Sequence, residues 1–253
     1  MIDAELVRGV RLLSLDAGNT VIFLDHARLA RLAGESGFTV SPEALIRAEG
    51  EAKRLHEKNA LLDIAWSESA VPGARGWAAT TATILHRAGM PHEALSAALD
   101  AIWKSHVELN LWSLVPDGFG AAMDRLHAAG AKIAIVSNSE GMLDTLFKRL
   151  GILHHFDVLI DSGKLGIEKP DPRIFDLALM EAGIDREHAL HLGDTFTTDI
   201  VGARAANMRV ALIDPYGHYE GAHLDVPRVP GVVAVADAIL AAWYRAALTP
   251  EGV

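Results

Sequence analysis

Five short hydrophobic runs recur along the chain, and within each run the apolar positions are adjacent rather than alternating with polar ones. Runs of this kind are typical of strands that are covered on both faces, as in a parallel sheet. We therefore predict five buried parallel strands. They are Leu12-Leu13-Ser14-Leu15, Ile133-Ala134-Ile135-Val136, Val158-Leu159-Ile160, Ala189-Leu190-His191-Leu192 and Val210-Ala211-Leu212-Ile213.

Helical spacing of apolar residues lies around these runs, over 119–126, 142–150 and 235–243. A further helix is predicted to begin at Asp171-Pro172, with Asp171 as N-cap and Pro172 at the first helical position. Strands and helices that alternate in this way favour an α/β fold with a doubly wound, parallel, Rossmann-like sheet.

The stretch between the first two strands is different, because residues 25–114 have an almost entirely helical pattern. It is far too long for an ordinary connection between a strand and a helix. We predict an inserted all-helical cap domain over 25–114, of about four helices, and a catalytic core formed by 1–24 and 115–253. The expected breaks between the helices are Ser41-Pro42, Val71-Pro72-Gly73 and Met90-Pro91.

Four of the five tryptophans lie in or beside this insertion. Packing inside a small helical bundle is the expected role of each, since large aromatic side chains are mostly buried. The alternative is that one or two line a ligand pocket. They are Trp66, Trp77, Trp103 and Trp112.

Composition narrows the range of partners. The formal net charge of −10 disfavours nucleic acid and anionic membranes as partners. Cysteine is absent, which excludes disulfides, thiolate zinc sites and a cysteine nucleophile. The sequence has neither a signal-peptide pattern nor an apolar run of membrane-spanning length. We therefore expect a cytoplasmic enzyme.

Four polar clusters each follow a predicted strand. In an open α/β sheet, ligands bind outside the carboxyl ends of the strands, so side chains from these clusters are expected to meet there. The clusters are Asp16-Ala17-Gly18-Asn19-Thr20, Ser137-Asn138-Ser139, Lys169-Pro170-Asp171-Pro172, and Gly193-Asp194-Thr195 followed by Asp199.

The chemistry of these clusters is mutually consistent. Asp16 and Asp194 would bring two carboxylates together, which repel each other unless a cation lies between them. Oxygen ligands suit Mg²⁺, the usual ion at phosphate sites. Ser137 offers a hydroxyl donor and Lys169 a compact positive charge. Together they predict a site for phosphoryl transfer.

The motifs resemble those of the haloacid dehalogenase (HAD) superfamily. The motif residues are Asp16-x-x-x-Thr20, Ser137-Asn138, Lys169-Pro170-Asp171-Pro172-x-Ile174-Phe175 and Gly193-Asp194-x-x-x-x-Asp199. The insertion looks like that superfamily's C1-type cap. The resemblance implies a Mg²⁺-dependent hydrolase of a small phosphorylated molecule.

The resemblance also implies the roles of individual residues. Asp16 would form an aspartyl-phosphate, with Ser137, Asn138 and Lys169 at the phosphoryl group. Mg²⁺ would be bound by Asp16, the Gly18 carbonyl and Asp194, with Asp199 in support.

One position departs from the pattern. Most phosphatases of the superfamily carry a second aspartate two residues after the nucleophile, which protonates the leaving group, and here that position is Gly18. Three explanations are open. The leaving group needs no proton, another residue such as Asp25 or His26 supplies it, or the chain is a catalytically impaired protein that only binds its ligand.

The residues also bear on three other classes of protein. Dehalogenases of the superfamily have a Ser-Asn pair at the position where this chain has Gly193-Asp194. The intact Asp194 therefore counts against a dehalogenase. Phosphonoacetaldehyde-type hydrolases, which break a C–P bond, use a cap lysine. Lys53 and Lys58 lie in the right region, but their charged neighbours indicate a solvated helix face. A two-component receiver domain also combines an α/β sheet with a phosphorylated aspartate. It would be about half as long as this chain, with its nucleophile further from the start, so the sequence disfavours it.

The twelve histidines show no recognisable metal-binding spacing. His154 and His155 are expected in a surface loop, and His191 is expected to pack within its strand.

Overall fold

The computed structural model describes residues 2–70, 73–139 and 141–248. The chain divides into two compact units. The sheet unit contains the chain up to Ile22, Val115–Pro215 and the segment from His223 onward. The helical unit contains Phe23–Leu114 and Tyr216–Ala222.

Eight strands and eleven α-helices are numbered in chain order within the described residues. The strands are β1 (Leu12–Leu15), β2 (Phe23–Leu24), β3 (Trp112–Leu114), β4 (Lys132–Ser137), β5 (Val158–Asp161), β6 (Ala189–Gly193), β7 (Arg209–Ile213) and β8 (Arg228–Val229). The helices are α1 (Ala4–Val7), α2 (His26–Glu35), α3 (Pro42–His56), α4 (Ala74–Arg87), α5 (Leu95–Glu108), α6 (Phe119–Ala128), α7 (Leu143–Arg149), α8 (Ser162–Leu165), α9 (Arg173–Ala182), α10 (Val201–Ala205) and α11 (Val232–Leu248).

The sheet unit is built on six strands in the order β5-β4-β1-β6-β7-β8, and every neighbouring pair is parallel. The five predicted strands are β1 and β4–β7, and the α/β prediction is confirmed. The strand β8 was not predicted, because two residues are too short to show a pattern. From β1 the chain runs to β4 and β5 on one side and returns to β6 on the other side. The strand order therefore reverses beside β1, where ligands bind in sheets of this kind.

Helices flank this sheet. In the sheet unit, α1 and α6 pack against α11, and α9 packs on β4 and β5. The start of α9 differs from the prediction: its N-cap is Pro172 rather than Asp171. The carboxylate of Asp171 instead accepts a hydrogen bond from the backbone N–H of Arg173 at 3.0 Å, and also binds the Arg173 guanidinium. This turn delays the helix by one residue.

The helical unit contains α2–α5 and the antiparallel pair β2–β3. Capping explains two of the helix starts: Asp25 accepts a hydrogen bond from Arg28 N–H, and Ser41 accepts one from Ala44 N–H. Of the three predicted breaks, Val71-Pro72 lies outside the described residues. Gly73 is described and is the N-cap of α4.

Three of the tryptophans meet in the core of the helical unit. The ring centroid of Trp77 lies 5.4 Å from that of Trp66 and 4.8 Å from that of Trp103. His106 stacks on Trp103 at 5.2 Å. Trp112 packs against the same core. The contacts agree with the packing role that was expected of these side chains.

The units differ from the expected ranges of 1–24, 25–114 and 115–253 at two places, because Phe23-Leu24 and Tyr216–Ala222 belong to the helical unit. The Tyr219 hydroxyl donates to Glu57 Oε1 at 2.6 Å, and His218 Nε2 lies 2.9 Å from the Ile46 carbonyl oxygen. These contacts join the segment to α3. Among the described residues, no helix is long and apolar enough to cross a membrane.

Candidate active site

Asp16 is held at the carboxyl end of β1. Its backbone N–H donates to the Leu192 carbonyl of β6 at 2.9 Å, which continues the parallel ladder by one residue. The chain then turns tightly, because the N–H groups of Val21 and Ile22 both donate to the Ala17 carbonyl. The carboxylate of Asp16 therefore lies where the strand order reverses, and Asp16 is largely buried.

Lys169 reaches the same point from the loop before α9. Its Nζ lies 2.5 Å from Oδ1 of Asp16 and 2.6 Å from Oδ1 of Asp199. Asn138 fixes the backbone of this loop, because its side-chain amide accepts from Lys169 N–H at 2.7 Å and donates to the Lys169 carbonyl at 2.9 Å. The loops after β4 and before α9 are thereby joined.

Asp194 and Asp199 complete the group. Asp194 follows β6, and Asp199 lies in a π-helical turn, Phe196–Ile200. Oδ2 of Asp199 accepts from Thr195 N–H at 3.0 Å, which folds this turn back onto the end of the strand. A Cβ atom at Gly193 would overlap the Asp199 carboxylate, so the close approach requires glycine at this position.

Three buried carboxylates thus lie together, and Lys169 binds two of them, Asp16 and Asp199. Oxygen atoms of Asp16, Asp194 and Asp199 all lie within 4.8 Å of one another. Burial raises the pKa of Asp16 to about 7, and the negative charges of Asp199 and Asp194 act in the same direction, against Lys169. Although burial favours the protonated acid, Lys169 holds the pKa of Asp199 below its ordinary value. This excess of negative oxygen ligands fits a hard divalent cation such as Mg²⁺.

The loop after β4 is organised by Asp161, which was not among the residues predicted from the sequence. Ser137 ends β4 in register with Asp161 at the end of β5. The Asp161 carboxylate accepts from Ser139 Oγ at 2.6 Å, Gly141 N–H at 3.0 Å and Leu143 N–H at 3.2 Å. Its position directly after a predicted strand, the signal that found the other clusters, could have identified it.

His191 lies within β6 and is fully buried, which confirms the expectation that it packs within its strand. Its contacts are more specific than expected. Nδ1 lies 2.9 Å from Ser14 Oγ, and Nε2 lies 3.6 Å from Asp199 Oδ1. Burial lowers the pKa of His191, although Asp199 opposes this effect. The His191 ring therefore packs beside Asp199 without a hydrogen bond from Nε2.

Gly18 leaves open space beside Asp16. A Cβ atom built there meets no heavy atom within 4 Å, and its backbone φ is one that other residues adopt. The two alternative proton donors lie in the helical unit and are engaged there. Asp25 caps α2, and His26 Nε2 lies 2.8 Å from Glu49 Oε2 in a buried pair.

The two lysines considered for C–P chemistry lie at the end of α3. Lys53 Nζ is 5.7 Å from the ring centroid of Tyr219, and Lys58 is exposed in the turn that follows the helix. Lys58 therefore has the solvated position that its charged neighbours indicated.

Comparison with known proteins identifies the family. The haloacid dehalogenase-like hydrolase family model matches residues 10–207. The chain belongs to this family. Human haloacid dehalogenase-like hydrolase domain-containing protein 3 (Homo sapiens) is 28% identical to this HAD-like hydrolase over 208 residues, 81% of this chain and 82% of that protein. Phosphoserine phosphatase of Thermus thermophilus is 31% identical over 205 residues, 74% and 79% of the two chains.

Solved structures share the fold of this HAD-like hydrolase. The HAD-hydrolase YfnB of Bacillus subtilis, solved bound to magnesium, has a TM-score of 0.61 at 16% identity and covers 91% of this chain and 98% of its own. A HAD phosphatase of Thermococcus onnurineus has a TM-score of 0.57 at 18% identity, with 91% and 98% covered.

Proposed function

We propose that this HAD-like hydrolase removes the phosphoryl group of a small phosphorylated molecule in a Mg²⁺-dependent reaction with Asp16 as nucleophile. One observation carries the proposal. Asp16, Asp194 and Asp199 converge at the reversal of strand order, and Lys169 binds two of them. The phosphatase relative supports the substrate class.

Asp16 attacks first. A carboxylate oxygen of Asp16 forms a bond to phosphorus, the bond from phosphorus to the leaving oxygen breaks, and an aspartyl-phosphate results. Water then forms a bond to phosphorus, the bond between the Asp16 oxygen and phosphorus breaks, and the Asp16 carboxylate is restored as phosphate leaves, with the water's protons passing to phosphate and solvent. The ionised form of Asp16 is required, and a neighbouring cation would lower the pKa that burial has raised.

Lys169 and Ser137 are proposed to hold the phosphoryl oxygens. Lys169 lies beside the nucleophile and supplies positive charge where negative charge is transferred. Asn138 and Asp199 act through Lys169, the first on its backbone and the second on its ammonium group. A direct contact between Asn138 and phosphate stays a prediction.

Asp16, the Gly18 carbonyl and Asp194 would hold Mg²⁺, with Asp199 in support. When bound, the ion neutralises charge on the phosphoryl oxygens. Asp199 already uses one oxygen for Lys169 and the other for Thr195 N–H. Its supporting role is therefore to orient its neighbours.

The test is turnover of a panel of phosphorylated metabolites with and without Mg²⁺, followed by trapping with beryllium fluoride. We expect hydrolysis of at least one small phosphoester and an adduct on Asp16. Asp16→Asn should bind substrate without turnover, while the exposed Asp185→Asn serves as matched control. Binding without turnover by the wild type would indicate a ligand-binding protein. An adduct elsewhere would contradict the nucleophile.

A further inference from the structure

A second group of potential ligands lies in the sheet unit, away from the three carboxylates. Asp124 is on α6, and His154 and His155 form part of a 3₁₀ turn, Leu153–His155. This turn precedes β5 and α6 precedes β4, so both lie toward the amino ends of strands whose carboxyl ends carry the candidate active site.

The expectation that both histidines lie in a surface loop is wrong for His155. His154 is exposed, but His155 is only 5% exposed. Its ring packs edge-on against Phe119, with centroids 5.9 Å apart. Gly120 allows this approach, because a Cβ atom there would lie 3.1 Å from His155 Nε2.

The buried ring of His155 directs its Nδ1 atom toward the carboxylate of Asp124. Within the described residues, Nδ1 of His155 makes no hydrogen bond. It faces Oδ1 of Asp124 at 3.2 Å, and the His154 ring lies 3.9 Å away between centroids. One potential ligand atom from each of the three residues lies within 4.8 Å of the others. A buried nitrogen without a hydrogen bond is costly unless another partner binds it.

The chemistry of the three ligands differs from that of the carboxylate site. Imidazole nitrogens suit zinc and related transition metals, whereas Mg²⁺ prefers oxygen. We propose that Asp124, His154 and His155 bind one Zn²⁺-type ion through two imidazole nitrogens and one carboxylate oxygen. A water molecule would complete four-coordinate geometry.

The electrostatic surroundings are compatible with binding. Burial lowers the pKa of His155, and the neighbouring His154 acts in the same direction, which favours the neutral ring with a lone pair for a metal ion. Asp124 opposes this shift, and His127 supports it. His127 is itself paired with Asp157 at 3.0 Å. It therefore offers a nearby histidine outside the three proposed ligands for comparison.

The experiment is calorimetric titration of the untagged full chain with Zn²⁺ in excess Mg²⁺. We expect one Zn²⁺ per chain, with affinity at least about tenfold lower in His154→Ala and in Asp124→Ala, because each removes one ligand. Both side chains are exposed, so these variants should fold. His127→Ala is the matched control and should bind as the wild type does.

Asp194→Asn separates this site from the carboxylate site. Zn²⁺ should still bind to that variant, and should raise its melting temperature as it raises that of the wild type. The proposal is overturned if no Zn²⁺ binds in the presence of Mg²⁺. It is also overturned if His154→Ala or Asp124→Ala retains full affinity, if His127→Ala loses as much, or if Asp194→Asn abolishes binding.

Discussion

Nζ of Lys169 lies 2.5 Å from Oδ1 of Asp16, and both residues are largely buried. Lys169 keeps its positive charge, because Asp16 and Asp199 raise its pKa although burial opposes the charged form. It is therefore a poor proton donor at neutral pH. Its proposed role is electrostatic, and any proton for the leaving group must come from elsewhere.

Removing the lysine charge should affect both activity and stability. In Lys169→Gln, Asp16 and Asp199 lose the cation that pairs with them, so we expect activity to fall roughly 10²–10³-fold, as for the loss of one transition-state donor. The free energy of unfolding without Mg²⁺ should fall by about 3–5 kcal/mol, since buried charges are left uncompensated. Steady-state kinetics and urea denaturation measure the two effects. Lys148→Gln, on the exposed face of α7, should change neither. An unchanged denaturation midpoint in Lys169→Gln would contradict the charge argument.

Asp194→Asn tests the metal assignment. Mg²⁺ should raise the melting temperature of the wild type, because binding to the folded state stabilises it, and should have much less effect on the variant. Activity should be lost in the variant, and in the wild type after chelation. Without metal, the variant should be at least as stable as the wild type, since one of three repelling carboxylates is gone. Full wild-type activity in excess chelator would rule out the metal requirement.

The core of the helical unit should weaken in mild acid through His106. Burial lowers the pKa of His106 to about 4, and the Arg28 charge adds to this effect. Its Nδ1 accepts a hydrogen bond from Leu111 N–H at 3.2 Å, which protonation would break. Between the ordinary value of 6.5 and about 4, the unfolded chain binds a proton that the folded chain does not. Stability should therefore fall as pH falls through this window, by up to about 3 kcal/mol.

The comparison of His106→Gln with the wild type at pH 7.5 and pH 5 isolates this effect from the other titrating groups. Glutamine can still accept from Leu111 N–H but does not titrate, so the loss of stability between the two pH values should be smaller in the variant. His92→Gln, at an exposed position, should lose as much as the wild type. Equal losses in all three proteins would show that His106 is not the responsible group.

Five of the six strands of the large sheet were predictable because burial on both faces gives continuous apolar runs, a signal that depends only on local sequence. The candidate site follows from them, since parallel strands bring the residues after their carboxyl ends together. Asp16, Lys169 and Asp199 meet for this reason. The contact of Asn138 with the Lys169 backbone, however, depends on loop conformation, which no pattern of apolar residues encodes.

Contacts between distant segments were not predictable. Tyr216–Ala222 reads as a loop, yet it joins α3. Gly50 was the one local hint, because glycine inside a helix costs about 1 kcal/mol and usually has a packing reason. The structure supplies that reason: a Cβ atom at residue 50 would lie 2.7 Å from the His218 ring. The burial of His155 beside Gly120 escaped prediction in the same way.

The last prediction follows from Gly18 and concerns the leaving group of the substrate. Without a carboxylic acid two residues after Asp16, the rate should depend steeply on how well the leaving oxygen carries negative charge. Aryl and acyl phosphates should be hydrolysed readily, and alkyl phosphates slowly. Gly18→Asp should accelerate alkyl substrates by up to roughly 10²-fold, the lower end of what a positioned acid contributes. The open space around a Cβ atom at this position can accept the side chain.

Gly18→Asn is the matched control, because it has nearly the same size as aspartate but carries no acidic proton. It should leave the alkyl rates unimproved. The decisive measurement is a plot of log rate against leaving-group pKa for the wild type, with chemistry as the rate-limiting step. A flat plot would show that a group other than residue 18 donates a proton to the leaving oxygen. Asp25 and His26 would then be mutated first, although each already has a partner in the helical unit. A steep plot that flattens in Gly18→Asp but not in Gly18→Asn would show that the missing acid sets the substrate range.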